Sequence, residues 1–296
     1  MSGMNIAWLY IRNCLFKRGF MKKISLTIII IFLCIGRVYA ANYALYFDGV
    51  DDYVTIPDSN LWDFGAGDFS IEMWFNMEEV QAGNHYYIFA DINNGMTDGL
   101  SLILSPSPRF DVFAGGNGYQ YFTWGGLADT WYHAALVRES TNMRHYINGV
   151  QVGPTVTVAD DISGGSEGIR FGFPIFGYNP VLSFAMYGKF DEVRFWNAAR
   201  SQEEIQNWMY YSLSGTEPGL IGYWNFDEGS GQTANEPIYG NYGQLGSAAG
   251  GDVNDPTWVL SDGLYGQNPI PEPASLFLLG MGLLGTGLFK KFRRLP

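Results

Sequence analysis

Between residues 41 and 269 the chain consists of short segments in which hydrophobic and polar positions alternate, separated by turn residues. The clearest segment is FSIEMWF, in which Phe69, Ile71, Met73 and Phe75 occupy every second position. An alternation of period two places these side chains on one face of a β-strand. Similar segments recur along the region, and the chain has 38 glycines to supply turns. The pattern predicts an all-β fold, a two-sheet antiparallel sandwich or jelly roll.

Two local patterns add detail to this prediction. Asn148-Gly149 is a dipeptide typical of a tight hairpin turn with positive φ at both residues. Ser201 and Glu204 fit a capping box at the start of one short helix. Three apolar residues then follow at helical spacing and are expected to face the sheet: Ile205, Trp208 and Met209. Residues 229–268 are expected to be loop, with one last strand near 257–259 and a linker.

Charge is distributed unevenly along the chain. All 29 acidic residues lie between Asp48 and Glu272, and only seven of the 17 basic residues lie there, which gives this part a net charge of −22. Such an anionic surface argues against nucleic-acid binding. It suits a protein that works outside the cytoplasm, either together with divalent cations or simply kept soluble by its charge.

The N-terminus has the parts of a secretory signal. Lys22 and Lys23 precede the apolar run SLTIIIIFLCIG, and small residues follow up to Ala40. We expect a signal peptide over residues 1–40, cleaved after Ala40, with Met21 as an alternative translation start; an uncleaved anchor is the other interpretation. Both cysteines lie before this cleavage point, so the mature chain would form no disulfide and no cysteine metal site.

Four stretches, taken together and in this order, resemble the laminin-G-like (LamG-like, concanavalin A-like) jelly-roll family of bacterial surface proteins. They are residues 44–57, 69–76, 131–153, and 190–209 with 219–234. The resemblance implies a concanavalin A-like jelly roll over residues 41–260, followed by a linker over 261–270. One departure is Glu236, which stands where the family usually has Asp.

The resemblance also implies a structural calcium ion. Members of the family commonly hold one with an Asp in a late strand, aided by groups near the first strand, and here these positions correspond to Asp191 and Asp48. Calcium prefers carboxylate and carbonyl oxygens. The alternative is that Asp48 and Asp51 make turn hydrogen bonds and that Asp191 pairs with Arg194.

A second candidate site is a sugar-binding face. Residues 115–126, GGNGYQYFTWGG, set Tyr119, Tyr121 and Trp124 among glycines, where exposed rings could stack on a pyranose. The family resemblance favours glycan binding. The alternative is that these rings belong to the core, as most aromatic side chains in a sandwich do.

Hydrolase activity is the main alternative function, because glucanases share this fold. It needs two carboxylates at short spacing, and Glu72 stands alone on its strand, without the Glu-x-Asp-x-x-Glu pattern of the related glucanases. Residues 164–168 match G-x-S-x-G by letter but lack the strand-turn-helix context of a nucleophile elbow. His85, His133 and His145 show no metal-ligand spacing. The sequence therefore favours a protein that is not an enzyme.

The C-terminus carries its own signal. Pro271-Glu272-Pro273 precedes the uncharged apolar segment 274–289 and four basic residues. This arrangement, over residues 271–296, resembles the PEP-CTERM sorting signal, which is processed by an exosortase in Gram-negative bacteria. The resemblance implies export, transient anchoring by a transmembrane helix over 274–289, cleavage near Pro271-Glu272-Pro273, and transfer to the cell surface or matrix.

Together these features predict an exported, surface-sorted binding or adhesion protein without catalytic activity. The expected partner is a glycan or another component of the extracellular matrix. A glycan-active hydrolase and a purely structural matrix protein are the alternatives.

Overall fold

The computed structural model describes residues 42–79, 86–92, 99–105, 109–114, 119–123, 125–162, 168–173, 185–247 and 250–261. Of strands β4, β6 and β7 it describes the backbone alone, and of β5 the side chains of residues 100–103. Ala40, Trp124, residues 163–167, Pro271-Glu272-Pro273 and segment 274–289 lie outside this description. Within the described residues, no helix is long and apolar enough to cross a membrane.

Sheet A is antiparallel, and its order is β10-β9-β8-β3-β12-β1-β16, with β13 paired to β12. Its strands are β1 (Tyr43–Asp48), β3 (Phe69–Met77), β8 (Trp131–Glu139), β9 (Asn142–Ile147), β10 (Val150–Thr157), β12 (Tyr187–Trp196), β13 (Leu220–Trp224) and β16 (Thr257–Leu260). The hairpin between β9 and β10 turns at Asn148 and Gly149, whose φ values of 50° and 71° confirm the predicted turn.

Sheet B is also antiparallel, in the order β14-β15-β2-β11-β4-β5-β6-β7. Its strands are β2 (Val54–Ile56), β4 (Tyr86–Ile92), β5 (Gly99–Ser105), β6 (Arg109–Ala114), β7 (Tyr119–Thr123), β11 (Ile169–Phe171), β14 (Thr233–Ala234) and β15 (Gly243–Leu245). Strands β14 and β15 lie within residues 229–268, so the prediction of only one strand there is wrong. Each is three residues long or shorter, which is too short for a visible alternation.

The core lies between the two sheets. Its centre is a group of aromatic rings, in which Trp224 contacts Trp62, Phe171 and Phe195 at centroid distances of 5.8, 5.7 and 5.6 Å. All four side chains are at most 1% exposed. The predicted all-β sandwich of two antiparallel sheets with one short helix is therefore confirmed, and it is consistent with a jelly roll.

Helix α1 (Gln202–Trp208) begins at the predicted capping box. Glu204 N donates to Ser201 Oγ, and Ser201 N donates to Glu204 Oε2 at 2.8 Å. Ile205 and Met209 pack against the outer face of sheet A, as expected. The prediction for Trp208 is wrong, since this side chain is 46% exposed. The Trp208 ring instead contacts the ring of Tyr211, at a centroid distance of 5.9 Å.

A β-bulge in β12 decides which side chains reach the outer face of sheet A. The register with β3 shifts between Asp191 and Arg194, and Glu192 has a positive φ of 52°. An extra residue at a bulge lets two successive side chains share a face. Phe190 and Val193 both enter the core, so Asp191 and Glu192 are both placed on the outer face.

His145 lies on the core side of β9 and is only 3% exposed. Burial disfavours the charged imidazolium and lowers the pKa of His145 to about 3, from an ordinary value of 6.5. At neutral pH the histidine is uncharged in both the folded and the unfolded chain. As the pH falls below about 6.5, His145 takes up a proton in the unfolded chain. In the folded chain it does so only near pH 3.

His145 is therefore expected to weaken the fold progressively as the pH falls from about 6.5 toward about 3, by up to ~1.4 kcal/mol per pH unit. The replacement His145→Leu should remove this part of the pH dependence. Urea unfolding of both proteins across this range measures the two slopes. Equal slopes would show that His145 takes up its proton in the folded state.

Candidate functional site

The outer face of sheet B carries a row of polar side chains across four adjacent strands. The paired residues are Thr233 with Gln244, Gln244 with Thr55, and Thr55 with Arg170. Thr233 is exposed, and the other three are partly exposed. We call these four residues the polar row. At about 4.8 Å between strands, the polar row is about 14 Å long.

The side chains that flank the polar row along each strand are buried in the core. They are Val54, Ile56, Ile169, Phe171, Ala234 and Leu245, each at most 1% exposed. Because side chains alternate along a strand, this burial fixes the polar row on the side of sheet B that faces away from the core.

Tyr53 adds an aromatic ring to the polar row. The Arg170 Cζ atom lies 4.3 Å from the centroid of the Tyr53 ring, a cation–π contact. The contact places the guanidinium over the ring. A planar guanidinium has several N–H donors, and hydroxyl and amide groups are both donors and acceptors. Tyr53 and the polar row together are suited to hydrogen-bonding a ligand rich in hydroxyl groups.

The backbone registers connect the polar row to one of the predicted sugar-binding residues. Arg170 pairs with Ala90, Ala90 with Ser101, Ser101 with Phe113, and Phe113 with Tyr119. Tyr119 therefore occupies the same cross-strand row as Arg170. Tyr121 pairs with Asp111 in the same strand pair. The side chains of Tyr119 and Tyr121 and the whole of Trp124 lie outside the described residues, so their role stays a prediction.

Asp48 lies in a cluster of carboxylates at the end of β1. Oxygen atoms of Asp48, Asp51 and Asp52 are all within 4.8 Å of one another. Asp48 Oδ1 accepts from Val50 N at 2.8 Å, and Asp52 Oδ2 accepts from Asp48 N at 2.7 Å. Burial, together with the neighbouring carboxylates, raises the pKa of Asp52 to about 6. Asp48 therefore makes the turn hydrogen bond that was the alternative to a calcium site.

Asp191 lies in the middle of β12 and is completely buried. Its Oδ2 accepts from Ser261 Oγ at 2.8 Å and from Asn42 Nδ2 at 3.3 Å, whereas its Oδ1 has no hydrogen-bond partner. Burial, and then the charge of Glu192, raise the pKa of Asp191 well above its usual range. The predicted alternative, an ion pair of Asp191 with Arg194, does not form, because Arg194 pairs with Glu192.

Asp48 and Asp191 do not share a site. Asp48 pairs with Tyr187, whereas Asp191 follows Phe190, which pairs with Leu45. This separates the two carboxylates by about 13 Å along the strands. The surroundings of Asp191 fit a calcium ion, since a buried carboxylate oxygen without a partner lies beside an amide and a hydroxyl side chain.

Arg194 organises the rest of the outer face of sheet A. Its Nη2 atom donates to Glu192 Oε2 and to Tyr211 O, both at 2.6 Å, and its Nη1 atom donates to Trp208 O at 3.1 Å. Tyr223 OH donates to Glu192 at 2.8 Å. Arg194 thus connects β12 and β13 to the end of α1 and to the segment that follows it.

Glu72 and His133 lie on the same face under α1. His133 Nε2 is 3.4 Å from Glu72 Oε2, and both side chains are at most 1% exposed. Burial lowers the pKa of His133, which keeps the imidazole neutral. Glu72 and Glu192 are two carboxylates on one sheet face, and both are only 1% exposed.

Neither the polar row nor the Arg194 network was predicted from the sequence. Each depends on strand registers between segments far apart in the chain, such as Thr55 with Arg170, and these leave no signal in a local pattern. The run DEVRFW does show successive charged residues inside an apolar strand. This departure from simple alternation is the one signal that could have indicated the bulge at Glu192.

Residues 48–206 match the concanavalin A-like lectin/glucanases superfamily. The match covers more than half of the chain, so the chain belongs to this family. Residues 269–294 match the PEP-CTERM protein-sorting motif. Both predicted resemblances are therefore confirmed. Among curated proteins, none matches the sequence of this chain.

The solved structures that are similar to this chain include the following three. A proposed carbohydrate-binding protein from Bacteroides ovatus has a TM-score of 0.59 at 19% identity, over 75% of this chain and 61% of its own. A SAP-like pentraxin from Limulus polyphemus has a TM-score of 0.44 at 14% identity, over 57% and 82%. A Trypanosoma rangeli sialidase has a TM-score of 0.38 at 14% identity, over 48% and 22%. The first similarity shows the fold alone, and the other two are too distant to add to it.

Replacing Arg194 by methionine is expected to destabilise the fold by about 3–5 kcal/mol, because Glu192 would be left buried without its cation. Arg144→Met is the matched control. The ion pair of Arg144 with Glu139 is on the surface, with side chains 25% and 56% exposed, so its loss should cost about 1 kcal/mol at most. Urea unfolding measures both free energies. Equal losses would contradict the structural role of Arg194.

Proposed function

We propose that the chain is an exported, surface-sorted module without catalytic activity, which binds a neutral glycan of the extracellular matrix. The observation that carries this proposal is the polar row on the outer face of sheet B, with the Tyr53–Arg170 contact at 4.3 Å. Membership of the concanavalin A-like lectin/glucanases superfamily supports it. The Bacteroides ovatus structure shares the fold, and its description as a carbohydrate-binding protein agrees with the proposal.

Charge favours a neutral glycan over an acidic one. The net charge of −22 between residues 48 and 272 repels polyanions at long range. Arg170 is the one basic residue of the polar row. A guanidinium can donate hydrogen bonds to sugar hydroxyls as well as to carboxylates, so a neutral sugar can accept them without the long-range repulsion.

Tyr119, Tyr121 and Trp124 are proposed to complete this surface. Tyr119 shares the cross-strand row of Arg170, although Ser101, which lies between them in that row, is completely buried. Aromatic rings stack on the apolar faces of pyranose rings, while the polar row would bind the hydroxyl groups at their edges.

The route to the surface is proposed from the two ends of the chain. The PEP-CTERM match at residues 269–294 supports processing by an exosortase at Pro271-Glu272-Pro273 in a Gram-negative bacterium. The apolar segment 274–289 would anchor the chain in the membrane until that step. Cleavage after Ala40 would release the N-terminal signal.

Calcium is proposed as a structural ion at Asp191. When bound, it would supply positive charge to an acidic, buried position. Asp191, Asn42 and Ser261 are the residues that would hold it. Strand β1 follows Asn42 and β16 precedes Ser261, so the ion would connect the first and last strands of sheet A. For Asp48, calcium binding stays a prediction.

The glycan proposal is tested by electrophoresis of the full-length chain through native gels that contain hydroxyethylcellulose, xyloglucan, galactomannan or dextran. At least one polysaccharide is expected to slow migration. Arg170→Ala should weaken this binding about tenfold, because it removes charged hydrogen-bond donors from the polar row.

Arg144→Ala is the control for this experiment, since it removes the same charge from the surface of sheet A. It should bind like the parent protein. If both variants lose binding, the effect comes from charge alone. If no polysaccharide slows the parent protein, the result favours a purely structural matrix protein.

The calcium proposal predicts that saturating calcium raises the Tm of the full-length chain by about 5 °C, and that a chelator reverses the shift. Asp191→Asn should abolish the shift, whereas Asp48→Asn should retain it. A shift lost in Asp48→Asn alone would place the ion at the carboxylate cluster. No shift in the parent protein would refute calcium binding.

A further inference from the structure

The turn between β14 and β15 presents two exposed tyrosine rings. Tyr239 is 58% exposed and Tyr242 is 52% exposed, and within the described residues they are the only aromatic side chains more than half exposed. We call residues 235–242 the tyrosine turn. An exposed ring adds little to the stability of a folded chain, and it is accessible to a ligand.

Buried hydrogen bonds fix the backbone of the tyrosine turn. Glu236 is completely buried, and its carboxylate accepts from Ile238 N and Tyr239 N at 2.8 Å and from Asn241 N at 3.2 Å. The buried Trp224 donates its indole N–H to Asn241 O at 3.1 Å. The backbone that carries both tyrosines is therefore fixed before any ligand binds, which reduces the entropy cost of binding.

The tyrosine turn is continuous with the polar row. Tyr242 lies two residues before Gln244, and Gly243 between them faces the core, where an added Cβ would come within 2.7 Å of Val54. Alternation therefore puts Tyr242 on the same outer face as Gln244. The Tyr242 ring lies against Gly240, about 4 Å from where a Cβ would be. The atoms nearest to Gly240 are Cε2, Cζ and OH of Tyr242, and about half of the side chain stays exposed.

The surroundings of the two rings favour a sugar over an apolar protein surface. Gly240 and Asn241 lie between the rings, and exposed Asn235 precedes them. A protein-docking patch would have an apolar centre with charged residues at its edge. Separate aromatic rings set among glycine and amide groups instead match the alternating apolar faces and hydroxyl edges of a glycan.

We infer that Tyr239 and Tyr242 form a stacking platform, which extends the glycan-binding surface beyond the polar row at the edge of sheet B. This inference rests on the proposed function. Strand β14 is the edge strand, so a bound chain can continue past the sheet without obstruction from a further strand. From Arg170 to β14 the surface is already about 14 Å long, more than one sugar ring can cover. The ligand is therefore a run of several sugar units within a neutral polysaccharide.

The test uses the full-length chain and the polysaccharide gel that slows it most. The double replacement Tyr239→Ala with Tyr242→Ala should weaken binding about tenfold, with the Tm unchanged because both rings are exposed. Trp208→Ala is the matched control, an exposed aromatic residue on the side of sheet A, and it should bind like the parent. A six-unit oligosaccharide of that polysaccharide, added to the gel, should compete for the chain and restore its migration. The monosaccharide at equal mass should not.

The outcomes separate the inference from the proposed function. If Arg170→Ala weakens binding and the tyrosine replacements do not, the platform is refuted and the glycan-binding function stands. If the monosaccharide competes as well as the oligosaccharide, the ligand is a single sugar and the inference fails. If no polysaccharide slows the parent chain, the proposed function and the inference fail together.

Discussion

Burial of alternate side chains in the core fixes the register of strands β2, β11, β14 and β15 in sheet B, and the candidate site depends on that register. Val54, Phe171 and Leu245 are at most 1% exposed, and a slip of one residue would bring their polar neighbours into the core instead. The hydrophobic core thereby aligns Thr55, Arg170 and Gln244 on one outer face, although no local interaction brings these side chains together.

The two outer faces of the sandwich differ in their chemistry. On sheet A, the bulge at Glu192 collects charged groups, and α1 and the segment after it cover them; Arg194 offsets the cost of burying Glu192 by binding it directly. On sheet B, the polar row stays at least partly accessible and an aromatic turn adjoins it, although Ser101 farther along the same face is buried. Sheet A therefore supports the fold and the proposed ion, whereas the polar row is open to a ligand.

Local patterns predicted most of the fold. Period-two alternation gave the strands, and Ser201 with Glu204 gave the start of the helix, because both signals lie within a few residues of one another. Trp208 was predicted to face the sheet, and this was wrong, because Ile205 and Met209 cover the sheet while the Trp208 ring is exposed beside Tyr211. The site was less predictable. The register between distant strands places Arg170 beside Thr55. The buried Glu236 orders the backbone of the tyrosine turn. Neither arrangement can be read from neighbouring residues in the sequence.

Binding of a neutral glycan to the outer face of sheet B can be observed in a crystal structure of the full-length chain with an oligosaccharide, taken from the polysaccharide that slows the chain most in native gels. This binding is expected to place sugar rings along the polar row, with hydroxyl groups within hydrogen-bond distance of Arg170 and Thr55. An oligosaccharide bound to the outer face of sheet A, or at any surface away from Arg170, would contradict it.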